Sequence, residues 1–258
     1  MKKTLFLIMF LVCITFVNAK DFSCAATFDY PQAISHIANR TSVDIKVEYG
    51  VKPQVRIFAS EALAKDVLLD FKEGKLLISV HNDAFGKFKD VEIVVTTPRL
   101  QSLKNNDSGD CDVEGFISGS VDILARGSGD FDIEKCDFES LTIDSKSSAN
   151  IAIGDLKSTV LNIYSYGSGK FKMEDCKVTD YKVHTHGSCR FEMDNLSVGK
   201  MLLVSKGSGS VNISDIHAKK IDIHSVNSSR IVIEGTTKVF IPVIKGASTI
   251  DRTRLIIK

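Results

Sequence analysis

Apolar and polar residues alternate through the second half of the chain, and this alternation returns every twenty residues. In one repeat Phe131 and Ile133 flank the polar Asp132, and Leu141 and Ile143 resume the pattern further along. A period of two is typical of β-strands that turn one face inward. Helix is disfavoured, because its apolar period is 3.6 residues and because β-branched residues fill these stretches.

A short corner sequence, most often Gly-Ser-Gly, marks each repeat. Its copies begin at positions 107, 127, 147, 167, 187, 207 and 227, and a degenerate copy begins at 246. Such a fixed period is the signature of a solenoid, in which each repeat buries its apolar face only against the next. We therefore predict an all-β fold, a parallel β-helix of about seven 20-residue coils. Right-handed coiling is expected, because crossovers between parallel strands are nearly always right-handed.

Glycine at these corners is expected to permit a sharp bend, since it has no Cβ and adopts positive φ without a clash. The predicted structural corner residues are Gly109, Gly127, Gly129, Gly167, Gly169, Gly187, Gly207 and Gly209.

The chain before the repeats is predicted to form wider, less regular coils of the same domain. Strands are expected at residues 42–48, 54–59, 76–81 and 91–96. Residues 33–38 fit a short helix, and residues 61–70 fit a short helix or a loop.

No Pro/Gly/Ser-rich linker divides the chain, so residues 41–258 are predicted to be a single β-helical domain. Within it, residues 41–106 form the irregular coils and residues 107–258 the regular repeats. Residues 20–40 are the candidate N-terminal cap, because an open first coil would invite aggregation.

The first nineteen residues have the composition of a secretory signal peptide. Met1-Lys2-Lys3 precedes an apolar run from Leu5 to Val17, and Val17-Asn18-Ala19 suits the cleaving peptidase. The alternative, a membrane anchor, needs a longer apolar run. We therefore expect an exported protein, in the periplasm or at the cell surface, with no membrane span after cleavage.

The composition and net charge of the chain argue against one class of function, nucleic-acid binding. The 258 residues are 43% hydrophobic and 25% charged, with a net charge of +1, which is ordinary for a soluble protein. A nucleic-acid partner is not expected, since such proteins carry a basic excess. Five cysteines remain after the signal peptide, and Cys136 and Cys176 lie two coils apart. At roughly 9–10 Å they are too distant for a disulfide, so buried free thiols are predicted.

Two outer columns of the predicted coils carry aromatic and basic side chains. Tyr164 should neighbour His184, and Tyr166 should neighbour His186. Such a face could hold sugar rings or anionic glycans by ring packing and charge. Alternatively, it is an ordinary outer surface whose stacked rings stabilise the sheet. The candidate ligand-binding residues are Tyr164, Tyr166, His184, His186, Lys206 and His224.

An acidic column offers a second candidate chemistry. Clustered carboxylates could bind Ca²⁺, and the candidate metal ligands are Glu114, Glu134, Glu174 and Asp194. We favour a solvated corner instead, because the Gly-rich motif of calcium-binding solenoids is missing. No other cofactor is implied. Neither a carboxylate pair for glycoside cleavage nor a serine nucleophile with its base is evident, so no catalytic residue is assigned.

The segment Val91–Leu100 with its Thr97-Pro98-Arg99-Leu100 end, then Leu103, precedes the recurring Gly-Ser-Gly corners. This order resembles the bacterial envelope family described as "putative auto-transporter adhesin, head GIN domain". The likeness covers about residues 37–250. It implies an exported, adhesin-like protein and supplies no catalytic motif.

The sequence thus predicts a non-enzymatic exported surface protein that presents a β-helical face to a glycan or to a host or matrix protein. The alternatives are a polysaccharide-active β-helix enzyme, a lyase or hydrolase, and a purely structural envelope component. A deep groove with converging carboxylates would favour the enzyme, whereas a flat prism would favour binding or scaffolding.

Overall fold

The structure is a computed structural model that describes residues 23–81, 87–88 and 90–258. The predicted signal peptide lies outside the described residues. Within them, no helix has the length and apolar character needed to cross a membrane.

The twenty-residue repeats form parallel coils stacked in register, which confirms the predicted fold class. Ile133 lies opposite Ile153, and Ile153 lies opposite Met173. The stack is a β-solenoid of about eight turns. A side chain at one position of a coil therefore touches its equivalent twenty residues later, and like positions form columns.

The strands lengthen toward the C-terminal half, where one strand follows nearly a whole coil. In chain order they are β1 (Cys24–Asp29), β2 (His36–Asn39), β3 (Asp44–Tyr49), β4 (Gln54–Phe58), β5 (Val67–Lys72), β6 (Lys75–Val80), β7 (Glu92–Thr97), β8 (Ser102–Asn105), β9 (Cys111–Glu114), β10 (Ile117–Ala125), β11 (Phe131–Ser145), β12 (Ile151–Ser165), β13 (Lys170–Gly187), β14 (Arg190–Gly207), β15 (Ser210–Asn227), β16 (Arg230–Gly246), β17 (Thr249–Asp251) and β18 (Leu255–Ile257). One short helix, α1 (Glu61–Ala64), lies between β4 and β5.

Each regular coil has three sides, because the inward alternation is broken at three corners. In the β11 coil the ladder to the next coil skips Lys135 and Glu139. We name the sides by the residues of this coil and their equivalents: side A is 130–134, side B is 136–139 and side C is 140–146. The inward residues of all three sides join one continuous core.

The corner between sides A and B is the left-handed one. Its residue has a positive φ in successive coils: Lys135 (54°), Asp155 (47°), Asp175 (55°), Asn195 (50°) and Asp215 (53°). Asp and Asn tolerate this region because their short polar side chains bond locally. None of these five residues is glycine, so the sequence did not predict a left-handed corner here.

The Gly-Ser-Gly corners need glycine mostly for a reason other than the predicted positive φ. Positive φ occurs at Gly187 and Gly207 but at none of the other six predicted corner glycines. There the requirement is close approach between coils: a Cβ on Gly129 would lie 1.9 Å from the carbonyl oxygen of Gly109, and one on Gly127 would lie 1.8 Å from that of Asp107. The prediction of positive φ was therefore wrong for Gly109, Gly127, Gly129, Gly167, Gly169 and Gly209.

The N-terminal coils do not stack in chain order. β2 lies between β6 and β8, and β3 lies between β7 and β9. The helix predicted at 33–38 is wrong, because His36–Asn39 is a strand within this stack. Antiparallel strands cover the end: β1 pairs with β4, and β5 pairs with β6. The assignment of residues 20–40 as a cap stays a prediction, since Cys24–Asp29 lies at that end and His36–Asn39 lies inside.

The cysteines behave as predicted. Cys136 and Cys176 are buried, and all five cysteines of the described residues are free thiols. Burial raises the pKa of each of these two thiols to about 11, so both stay protonated and unreactive.

The C-terminal end of the solenoid exposes apolar residues on β16. Ile241, Val243 and Ile244 are exposed, and residues 239–246 pair only with β15. In the coils above, outward residues of side C direct their N–H groups to the preceding coil, as Lys146 does to Ala125. Pro242 is the cross-strand partner of the inward Ile223. Its nitrogen is therefore directed to the free edge, where the missing N–H blocks a further strand.

Pro242→Thr is expected to increase self-association with little change in melting temperature. The substitution restores a free edge donor without touching a bond to β15. Light scattering against concentration measures the effect, and Pro53→Thr is the matched control elsewhere. An unchanged scattering profile would show that Pro242 does not protect this edge.

Candidate functional site

The candidate ligand-binding residues all lie on side C. Five lie on strands β12 to β15, and Tyr166 directly follows the end of β12. Inward residues such as Ile163 and Val183 are fully buried in the core, so the alternate residues must point outward. One outward column contains Tyr164, His184 and His224, and the next contains Tyr166, His186 and Lys206. We call these six residues the tyrosine–histidine face.

Tyr164 and His184 form the tighter pair of this face. Their ring centroids lie 5.3 Å apart with the planes 19° from parallel, a stacked arrangement. Burial, together with Lys206 and Lys182, lowers the pKa of His184 below its usual value. The His184 imidazole is therefore neutral at pH 7, and it stacks as an uncharged ring on the phenol ring of Tyr164.

Tyr166 is the exposed aromatic of the face. Its side chain is 51% exposed, and its ring lies 6.5 Å from that of His186 with the planes at 46°. The ammonium of Lys146 lies 5.7 Å from the Tyr166 ring centroid, within cation–π range. Lys206 follows His186 on the next coil and is also exposed. The outer column thus offers an open ring with Lys146 on one side, and with His186 followed by Lys206 on the other.

His224 lies apart from the paired rings. Val204 separates it from His184 in the same column. The six predicted residues therefore form two ring pairs, a neighbouring lysine and one isolated histidine, rather than one continuous aromatic strip.

An ion pair fixes the N-terminal border of this face. Two guanidinium nitrogens of Arg126 donate to the two carboxylate oxygens of Asp144, at 3.1 and 2.8 Å. This contact lowers the pKa of the Asp144 carboxyl and raises that of Arg126. Arg126 and Asp144 neutralise each other's charge, so this border attracts a charged ligand less strongly than the unpaired lysines do.

Three of the four candidate metal ligands on side A have cationic or hydroxyl partners. Glu114 accepts from Lys135 at 2.9 Å and lies 3.1 Å from Lys46, and these lysines lower its pKa. Glu174 pairs with Lys172 at 2.8 Å, and Asp194 accepts from the Ser214 hydroxyl at 2.9 Å. Glu134 faces the same column. Across the described ranges, no group of three or more His, Cys, Asp or Glu side chains is placed to hold a metal ion.

A shallow groove also lies on side A. Its volume is about 180 Å³, and its lining includes Glu174, Glu192 and Asp194. Glu192 and Glu174 are ion-paired with Lys170 and Lys172, so two of these carboxylates are already neutralised. A glycosidase needs two carboxyl groups that act as acid and base on one bond, and these groups are not free for that role.

Sequence reasoning missed a lysine-rich groove on side B. Its lysines fall in three different columns. The repeat makes a column recognisable only when most of its residues share one chemical type, and none of these three columns is mostly lysine. Tabulating every outward column by charge would have found it.

A family model with the description "Putative auto-transporter adhesin, head GIN domain" matches residues 34–193 and 181–258. No curated protein matches the chain.

Several solved structures share the fold. One is a "putative adhesin" from Bacteroides fragilis, 21% identical, with a TM-score of 0.59, covering 90% of this chain and 97% of that one. Another is a "putative lipid binding protein" from Parabacteroides distasonis, 18% identical, with a TM-score of 0.66, covering 87% and 95%. A "putative adhesin" from Parabacteroides merdae is 16% identical, with a TM-score of 0.62, covering 87% and 93%. At these identities the likeness shows the fold.

Proposed function

Because this chain belongs to the family described as "putative auto-transporter adhesin, head GIN domain", we propose that it is an exported, non-enzymatic adhesin that binds glycans through its tyrosine–histidine face. The family and its structural neighbours carry the names of adhesion or binding proteins. The single observation that supports a glycan ligand is the open Tyr166 ring, exposed beside the stacked Tyr164–His184 pair.

The face suits a sugar because it combines flat rings with hydrogen-bond donors. A pyranose presents C–H groups on one surface and hydroxyls around its rim, so it packs on an aromatic ring while its rim bonds to polar neighbours. Tyr166 provides the ring, and His186 and Lys206 provide adjacent polar groups. Successive coils repeat at about 4.8 Å, so several weak contacts can act together along one glycan chain.

The paired substitution Tyr166→Ala with His186→Ala is expected to weaken binding on a neutral glycan array about tenfold or more. Losing ring stacking of about 1.4 kcal/mol corresponds to that factor. Both side chains point outward, so the melting temperature should stay within about 2 °C of the parent value, as for most surface substitutions.

Tyr49→Ala is the matched control, since Tyr49 is also 51% exposed but lies outside side C. The control variant should bind like the parent. If the paired variant and the control both retain full binding, the tyrosine–histidine face is an ordinary outer surface and the proposal fails.

A further inference from the structure

Side B carries a groove that lies on a different side of the coils from the paired rings of the tyrosine–histidine face. Its volume is about 480 Å³. Gly199 and Ala218 lie on its floor, and their small size leaves the depression open. The polar residues lining it are Lys177, Lys219, His217, Thr179, Ser197 and Thr236.

More lysines extend this groove along and beside its walls. Lys177 and Lys219 line the groove itself. We define the lysine groove as these two residues together with Lys157 and Lys238, farther along side B, and Lys200 and Lys220, at the adjoining edge of side C. Among the ion pairs of the described residues, Lys220 pairs with Asp222 at 2.7 Å, and the other five lysines have no carboxylate partner. Those five are exposed, so their ammonium groups are available to a ligand.

Like charges stand directly opposite each other here. Lys157 is the cross-strand partner of Lys177, and Lys200 is the partner of Lys220. On their other sides Lys157 lies opposite Asp137 and Lys200 lies opposite Asp180, which offsets part of this repulsion. Directly opposed like charges still destabilise a sheet locally. A bound polyanion that bridges neighbouring coils would remove the repulsion.

The positive charge is local rather than general. The chain has a net charge of only +1, and the same side of the β11 coil carries Asp137 and Glu139. Acidic groups border the groove at the left-handed corner, where Asp215 lies 3.6 Å from His217. A polyanion would therefore contact the lysines from the side away from that corner.

We propose that the lysine groove binds a linear acidic polysaccharide that runs along the solenoid axis. Lysines recur from coil to coil at about 4.8 Å, so carboxylate or sulfate groups spaced along such a chain can each meet an ammonium. The hydroxyls of Thr179, Ser197 and Thr236 can bond to sugar hydroxyls. Single-stranded nucleic acid is a poorer fit, because no tyrosine, phenylalanine or tryptophan lines the groove to stack on bases.

The test measures binding of the purified protein to polygalacturonate and to heparin as salt is varied. The variant Lys177→Gln/Lys200→Gln/Lys219→Gln is expected to bind at least tenfold more weakly, with a shallower salt dependence. The corresponding triple arginine variant should retain binding, because the charge is kept. The matched control is Lys65→Gln/Lys72→Gln/Lys75→Gln, three exposed lysines near the N-terminal end, which should change affinity less than twofold.

Equal losses in the two glutamine variants would overturn the proposal, because they would show attraction to net charge alone. Single-stranded DNA that competes as well as the polysaccharides would also contradict it. The inference does not rest on the proposed function: Tyr166→Ala/His186→Ala should leave polyanion binding intact. Failure to bind any polyanion, with neutral glycan binding retained, would remove this inference alone.

Discussion

Gly129→Ala is expected to destabilise the protein by about 3 kcal/mol or more, the upper range for steric overpacking. The new Cβ would lie 1.9 Å from the carbonyl oxygen and 2.6 Å from the carbonyl carbon of Gly109, and 2.8 Å from the amide nitrogen of Asn105. Two of these atoms are backbone, which cannot swing away as a flexible side chain would. The coils would have to separate at this corner, which weakens the stack on both sides of it.

Thermal melting followed by circular dichroism measures this effect, and the midpoint should fall by about 6–12 °C. Gly154→Ala is the matched control, because its Cβ would meet only the Glu134 side chain at 3.8 Å. That control should be neutral or slightly stabilising, since alanine restricts the unfolded chain. Equal midpoints for the two variants would show that the corners do not depend on close approach between coils.

Phe191→Ala is expected to cost about 3–5 kcal/mol, the usual range for removing a fully buried aromatic ring. Phe191 has no exposed surface, and its ring stacks on that of Phe171 at 4.5 Å with the planes 5° from parallel. In a solenoid each coil contacts only its neighbours. A cavity between β13 and β14 would therefore weaken the contact between the two halves of the stack.

Urea unfolding followed by circular dichroism measures this cost, and Phe58→Ala is the control. Phe58 lies half-buried near the N-terminal end, with the Arg56 guanidinium 5.7 Å from its ring centroid, so its loss should cost clearly less. A similar cost for both substitutions would mean that the stacked core column does not carry the stability assigned to it.

The regular coils could be predicted because a period of twenty fixes which residues become neighbours. Tyr164 and His184 are twenty apart in the chain and stack in the structure. The binding role of these residues stays a prediction, since a column of rings is compatible with either a ligand site or simple sheet stabilisation.

The N-terminal part could not be predicted in the same way, because it has no period. The insertion of β2 and β3 between later strands depends on long-range pairing, which local patterns do not encode. The left-handed corner was also missed. Lys135 adopts it in one coil and Asp155 in the next, so no single residue type marks the position.

The lysine groove was not predicted from the sequence, for a geometric reason. Lys177, Lys200 and Lys219 occupy different positions of the repeat, so no column is uniformly basic. Only the folded coil brings side B and the adjoining edge of side C together as one surface. Its charge therefore became apparent once the corners at Lys135 and Glu139 were located.

The central claim is that this solenoid is displayed where a ligand outside the cell can reach it, and labelling of intact cells tests that claim most directly. An amine-reactive, membrane-impermeant biotin reagent should label the exposed lysines, including Lys177 and Lys206, without disrupting the cells. The proposed adhesin role predicts labelling of the protein on intact cells, at the level of a known surface protein. Labelling that appears only after the envelope is permeabilised would contradict it.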